Sequence, residues 1–228
     1  FGIFLLVRFT HWGKQFWQFA GGYLSPRRSI KPLLFFLLIV AMTLVSVRIS
    51  LVHSEWYNNM YTSLQEFNEP VFWDQMVLFC VIATSSVIAA LLSYYLEQRF
   101  SIDWIEWLNG QLVDKWMNNR AYYKTQYVSA NLDNPDQRIQ QDVQSYVRTT
   151  LSLSTGVIDA VTSMISYTIL LWGLAGPMMV FGTEIPRMMV FLVFAYVIIT
   201  TAIAFRLGRP LIMLNFVNER LNANYRYS

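Results

Sequence analysis

Eighteen consecutive residues from Met188 to Phe205, MMVFLVFAYVIITTAIAF, carry no charge. A helix needs roughly 20 mostly apolar residues to cross ~30 Å of hydrocarbon, and in lipid only a helix satisfies its own backbone polar groups within one segment. Three further segments come close to that length: PLLFFLLIVAMTLVSVRISLV over 32–52, the run containing MVLFCVIATSSVIAALL over about 72–95, and GVIDAVTSMISYTILLWGL over about 156–174. The third is the most polar of them. Only 14% of the chain is charged, against about 25% in an ordinary soluble domain, which leaves too little polar surface for a water-soluble fold. The sequence therefore predicts an all-α, polytopic membrane protein with spans at about 32–52, 72–95, 156–174 and 188–205.

Lys and Arg placement orients the spans. Arg27, Arg28 and Lys31 precede the first span, six basic residues from Arg99 to Arg148 separate the second from the third, and Arg206, Arg209, Arg220 and Arg226 follow the fourth. The stretch 54–71 holds Glu55, Glu66 and Glu69 and no Lys or Arg, and 175–187 holds one Arg. Those two loops are expected outside, and the other polar segments, including a cytoplasmic excursion over 98–150, inside. Trp56, Tyr57, Phe72, Trp73 and Trp172 suit an outer interfacial belt. Residues 1–31 read as the tail of a preceding span in FGIFLLV followed by an elbow helix in the cytoplasmic interface, THWGKQFWQFAGGYLS. FGIFLLVRF lacks the features of a signal peptide, and NANYRYS lacks a helix stop signal, so a piece of a longer protein is expected.

From Phe72 to Arg120 there is no proline, and a helix of that length would reach ~74 Å, well past the hydrocarbon. Phe100, Trp104, Leu108, Leu112 and Trp116 recur at every fourth position in its far part, with charges between them, which predicts an amphipathic helix packed along one side in water. After it comes DNPDQRIQQDVQSY, residues 133–146. Asn134 is a good N-cap, Pro135 fits N1, Asp136 puts a negative charge in the first turn and Gln137 completes a capping-box-like arrangement. This helix reads as polar on nearly all faces, built to present side chains to a partner rather than to pack against the membrane helices.

NPDQRIQQDV, with RAYYKTQ before it and LSLSTGVIDAVTSMISYTILLW and GRPLIMLNFVNERLNANYRYS after it, resembles the transmembrane part of the SbmA/BacA-like and peroxisomal-type ABC transporters. Within that group the likeness is to the mycobacterial transporters of cobalamin and other hydrophilic solutes. The resemblance implies an exporter-type six-helix domain, here represented by about four spans over 32–228, which pairs with a second copy of itself and exchanges helix pairs. It implies that Asn134, Pro135, Asp136, Gln137, Arg138 and Asp142 lie near the coupling helix that meets a nucleotide-binding domain. Glu219, Arg220, Asn222, Tyr225 and Arg226 match the start of the conserved segment after the fourth span. It further implies a bacterial inner membrane location, a nucleotide-binding domain in the same polypeptide, and ATP with Mg as cofactors of the full-length protein.

No GxxxxGK[ST] occurs in the chain, so these residues contain no phosphate-cradling loop. An ATP-driven transporter of hydrophilic solutes, working by alternating access, and a proton-coupled peptide carrier of the same membrane fold both remain open. A membrane-embedded enzyme or structural membrane protein would need clustered His, Asp or Glu at one depth, which the sequence does not show. No catalytic residues or metal ligands are assigned, and the scattered basic residues give no nucleic-acid patch. His11 and His53 stand alone, and Cys80 in its apolar run reads as a space-filler.

Ionisable residues within spans are functional candidates. Arg48 lies ~22 Å from the cytoplasmic end of its span, where it snorkels outward or lines a cavity. Asp159 lies near the cytoplasmic mouth, where it caps a helix or pairs with Arg148 or another leg helix, with proton coupling as the alternative. Tyr167, with Thr155, Ser163, Ser166 and Thr168, gives the third span a polar side suited to a cavity or to helix contacts. Ser85 with Ala89, Ser86 with Ala90 and Gly156 with Ala160 suggest close helix crossings.

Overall fold

The computed structural model describes residues 20–24, 30–118, 135–180 and 183–225. In chain order the elements are α1 (Lys31–Gln65), α2 (Glu69–Asn118), α3 (Pro135–Leu174), β1 (Met178–Val180), β2 (Thr183–Ile185) and α4 (Met188–Tyr225). All four helices are long and apolar enough to cross a membrane. Helices of 35, 50, 40 and 38 residues at 1.5 Å each reach about 52 to 75 Å, so every one outruns ~30 Å of hydrocarbon. The all-α architecture expected from the sequence is present, with one addition: 175–187 contains a two-stranded antiparallel hairpin, Met178 opposite Ile185 and Val180 opposite Thr183. Of the expected elbow helix, only its end at residues 20–24 lies within the described residues.

The outer loop expected over 54–71 is mostly helix. Apolar spans end where hydropathy falls, but backbone hydrogen bonding carries α1 on to Gln65, and the turn occupies only Glu66–Asn68. It closes by reciprocal backbone bonds: Asn68 N–H donates to the Ser63 carbonyl at 2.9 Å and Phe67 N–H to that of Leu64 at 3.3 Å, with Phe67 in the left-handed region at φ 53°. That is a Schellman ending with phenylalanine at the position glycine usually takes. Asn68 then caps α2, its side-chain carbonyl accepting from Val71 N–H at 3.4 Å.

Two compact units divide the chain, 1–163 and 164–228. In the first, α1 and α2 form an antiparallel hairpin. Near the turn Trp56, only 5% exposed, donates from Nε1 to the carbonyl of Gln75 at 2.8 Å and packs on His53, Tyr57 and Phe79. Trp56 is thus an interhelical tie rather than a member of an outer belt, whereas Trp73 is exposed. At the other end lies the core: Ala20, Ile39, Phe100, Trp104, Leu108, Val143, Val147 and Leu151 are all buried. The stripe read from α2 is confirmed at Phe100, Trp104 and Leu108, with Leu112 packed at its edge.

The expectation that the 133–146 stretch does not pack on its neighbours is overturned. Ile139, Val143, Val147 and Leu151 follow each other at four-residue spacing, and the last three are buried against α2. Window length explains the error. Within DNPDQRIQQDVQSY only the first two members of the stripe are visible, and two aliphatic residues in fourteen do not define a face. Asp142 and Arg148 occupy the exposed side of the same helix.

The end of the elbow docks on this core. Tyr23 stacks on Trp104, centroids 5.5 Å apart and planes 4° from parallel, and touches Phe100 and Trp107. A methyl group at Gly22 would lie 2.9 Å from Cη2 of Trp107, so glycine is what admits the close approach. Burial, and after it the Asp103 carboxylate, pushes the Tyr23 phenol up to about 12. In the second unit, the Arg187 guanidinium stands 4.6 Å over the Trp172 ring, a cation–π contact at the end of the β-hairpin, and Pro210 lies inside α4.

Three outcomes follow for the full-length protein in nanodiscs. Trp104→Ala removes a ring from the centre of the core and is expected to cost about 3–5 kcal/mol, read as a large drop in thermal unfolding midpoint. Gly22→Val is expected to cost about 1–3 kcal/mol through the clash with Trp107, and an undiminished midpoint would show that the elbow is not docked there. Between the ordinary phenol value of 10.0 and about 12 the unfolded chain loses the Tyr23 proton while the folded chain keeps it, so stability falls with rising pH in that window. The wild-type midpoint should therefore drop further than that of Tyr23→Phe from pH 9 to 12; parallel curves would contradict the docking.

Candidate functional site

Between the core and the Trp56 tie, α1, α2 and the first part of α3 part to leave a cavity of about 330 Å³. Thr43 and Ser46 face it from α1, Ser93 and Glu97 from α2, and Ser152, Thr155, Gly156 and Asp159 from α3. The spacings are those of single helix faces: three on α1, four on α2, and three, four and seven on α3. Each of these three helices thus turns one narrow polar strip inward while its other faces are largely apolar.

The hydroxyl groups are not equivalent. Thr43 Oγ1 donates to the Ile39 carbonyl at 3.1 Å, and Thr155 Oγ1 donates to the carbonyls of Leu151 at 3.1 Å and Ser152 at 3.3 Å. A hydroxyl that has given its proton back to its own helix has only lone pairs left to offer. Ser93 Oγ is enclosed and has no hydrogen-bond partner. Glu97 is half-buried and Asp159 exposed to the open volume. Among the described residues neither carboxylate forms an ion pair; the salt bridge found there joins Arg99 to Asp103 at 3.5 Å. A carbon placed on Gly156 would meet nothing within 4 Å, so this glycine opens the cavity instead of closing a helix crossing, as its spacing from Ala160 had suggested.

Of the residues singled out in the sequence as cavity or gate, the structure brings Asp159 to the cavity, together with Thr155 from the polar side read on the third span. The expected pairing with Arg148 is not found, since that residue lies one helical stretch of ~16 Å back along α3. Arg48 is exposed on α1, two residues and about 200° round from Ser46. Tyr167 is exposed in the second unit. Pro135, Asp136, Gln137 and Arg138 open α3 by their backbone, but their side chains, like all of Asn134, fall outside the described residues. The same holds for the side chains of Glu219, Arg220, Asn222 and Tyr225 on the last turns of α4, and for Arg226 entirely. No group of three or more His, Cys, Asp or Glu able to hold a metal occurs among the described residues.

Glu97 was missed in the sequence because it falls just past the apolar run, where a carboxylate is unremarked. Its signal was the four-residue spacing from Ser93, which places both on one face of α2 with the small side chains of the span.

Comparison with known proteins supplies the relationship. The chain is 86% identical, over all 228 residues, to an ABC transporter ATP-binding protein of Haemophilus influenzae, of which it covers 38%. It is 32% identical over 199 residues to the inner membrane ABC transporter ATP-binding protein YddA of Escherichia coli, matching 85% of this chain and 36% of that protein. Over 215 residues it is 26% identical to the human lysosomal cobalamin transporter ABCD4, 90% of this chain and 32% of the other. The chain thus spans under two fifths of the length of these relatives. Residues 20–228 match the model of the ABC transporter transmembrane region 2 family, and with four membrane-crossing helices this multi-pass chain belongs to that family.

Proposed function

We propose that the chain forms part of the membrane domain of an ATP-driven transporter that moves hydrophilic solutes by alternating access, as a homodimer in a bacterial inner membrane. The observation that carries this is the cavity: an acceptor-rich volume among helices whose remaining faces suit lipid has no structural purpose that apolar packing would not serve better. The relatives' names support the ATP-driven form, because two of them are called ATP-binding proteins while this chain covers 36–38% of their length. A nucleotide-binding domain in the same polypeptide, using ATP and Mg, accounts for that difference. Cobalamin is the solute printed in the human relative's name, and it is one member of the class proposed here.

In this reading the α1–α2 turn faces outward and the aromatic core stands in the cytoplasm. The start of α3 then carries nucleotide-domain movement into the legs. Its opening residues, with Asp136, Arg138 and the exposed Asp142, meet the nucleotide domain, while Val143, Val147 and Leu151 further along grip α2. One helix is thereby connected to both partners.

Two measurements test the reading. ATP hydrolysis by the full-length protein in nanodiscs is expected to fall roughly fivefold or more in Asp136→Ala/Arg138→Ala, as loss of 1–3 kcal/mol of coupling implies. No hydrolysis by the wild type would move the protein to the proton-driven alternative, and unchanged hydrolysis in the variant would remove the transmission role. In a background freed of all native cysteines, Cys80 among them, Asn68→Cys is expected to react with a membrane-impermeant maleimide added outside intact cells; protection there with reaction only after lysis would reverse the topology.

A further inference from the structure

We propose that the cavity between α1, α2 and α3 is a subsite for a cationic hydrogen-bond donor, the ammonium or guanidinium group of a transported solute. The inference rests on the transporter reading above and adds to it the charge and size of what is recognised.

Donor and acceptor balance gives the sign. Thr43 and Thr155 have committed their protons to carbonyls of their own helices, so both present acceptor lone pairs to the cavity. Glu97 and Asp159 add carboxylates from two different helices. Ser46, Ser93 and Ser152 can still donate, so the excess of acceptors comes from the two threonines and the two carboxylates, and a ligand carrying positive charge offsets two negative charges held beside lipid. The acidic pair is not the whole case. Ser93 Oγ, enclosed at the same wall, has no partner among the described residues, and a small movement of the wall would let it reach a ligand.

Among the described residues no cation already fills this role. Arg99, two residues from Glu97, is engaged with Asp103, and Arg48 turns away from the cavity. Approach favours the same sign. Between Arg48 and Arg99 the hairpin carries Glu55, Glu66, Glu69, Asp74 and Glu97 and no Lys or Arg at all. The first four are exposed toward the turn, so that end of the hairpin attracts cations.

Volume sets the size. About 330 Å³, open to one side, gives room for one extended amine or guanidinium side chain, with the rest of a larger solute lying outside it. Gly156 contributes by leaving its side of the wall empty. The cavity thus reads as the place where one charged arm of a solute is held.

The test titrates the full-length protein in nanodiscs with N-acetylargininamide and with N-acetylcitrullinamide, its uncharged isostere, binding being followed by calorimetry. The arginine probe is expected to bind at least roughly tenfold more tightly, as charge-assisted bonds to carboxylates imply, and the preference to vanish in Glu97→Gln/Asp159→Asn. Equal binding of both probes to the wild type, or binding of neither, overturns the subsite without reference to any variant. A preference that survives in the folded double variant overturns its assignment to these carboxylates. Basal ATP hydrolysis of the same wild-type sample keeps the two readings apart. Hydrolysis without charge-dependent binding leaves the ATP-driven transporter and removes the subsite; charge-dependent binding without hydrolysis does the reverse.

Discussion

Lipid removes the hydrophobic drive between helices, and water restores it; that difference decides where this chain has a core. In hydrocarbon an apolar side chain loses nothing by facing outward. The most apolar windows of the four helices are accordingly only 11%, 11%, 0% and 6% buried. Beyond Glu97, α2 carries Arg99, Asp103, Glu106, Asp114 and Lys115, charges that no segment in hydrocarbon would hold in such number. There the apolar residues must find protein. Phe100, Trp104 and Leu108 find Val143, Val147 and Leu151 on α3, Ile39 on α1 and Ala20 beside the elbow. Burying side chains of this size contributes about 1.5–3 kcal/mol each, so this cluster does most to join the three helices.

The cavity follows from that arrangement. The three helices are joined at the aromatic core, and α1 is tied again to α2 by Trp56 near the turn. Between these two fastenings small and hydroxyl-bearing residues, Ser46, Ser93, Ser152 and Gly156, leave the helices apart. Under the proposed mechanism the core is then the fulcrum: movement delivered to the start of α3 turns about Val143 and Val147 before it reaches Asp159, four turns further on.

The membrane fold was legible because hydropathy over twenty residues is a strong signal that needs no knowledge of neighbours. So was the Phe100–Trp104–Leu108 stripe, whose large rings stand out between charges. The matching stripe on α3 was not, since Ile139 and Val143 were seen without Val147 and Leu151. The extension of α1 past Val52 was hidden for a different reason: SEWYNNMYTSLQ is polar enough to read as loop, and only its backbone bonding and the turn at Phe67 show otherwise. The cavity was the least legible. Each strip contributes two to four modest polar residues to an otherwise apolar helix, and no strip means anything until three helices bring them together. Asp159 alone was conspicuous, because a carboxylate inside an apolar run is improbable without a purpose.

Orientation of hydroxyl protons makes the cavity more than a polar gap. A free serine or threonine in lipid accommodates donors and acceptors alike, and a wall of such groups would select nothing. Bonding Thr43 to Ile39 and Thr155 to Leu151 fixes the protons inside the helices and turns an indifferent surface into an accepting one. Helix geometry thereby sets ligand polarity at no cost in added residues, since each bond uses a carbonyl the helix already has. The carboxylates of Glu97 and Asp159 act in the same direction, and their repulsion in the empty state is relieved when a cation enters. Under the proposed subsite, ligand entry and approach of α3 to α2 would favour each other, because such an approach is opposed by the like charge of the carboxylates until a cation neutralises it. A neutral solute supplies no such release. In that reading charge recognition and closure are a single event in the same three helices.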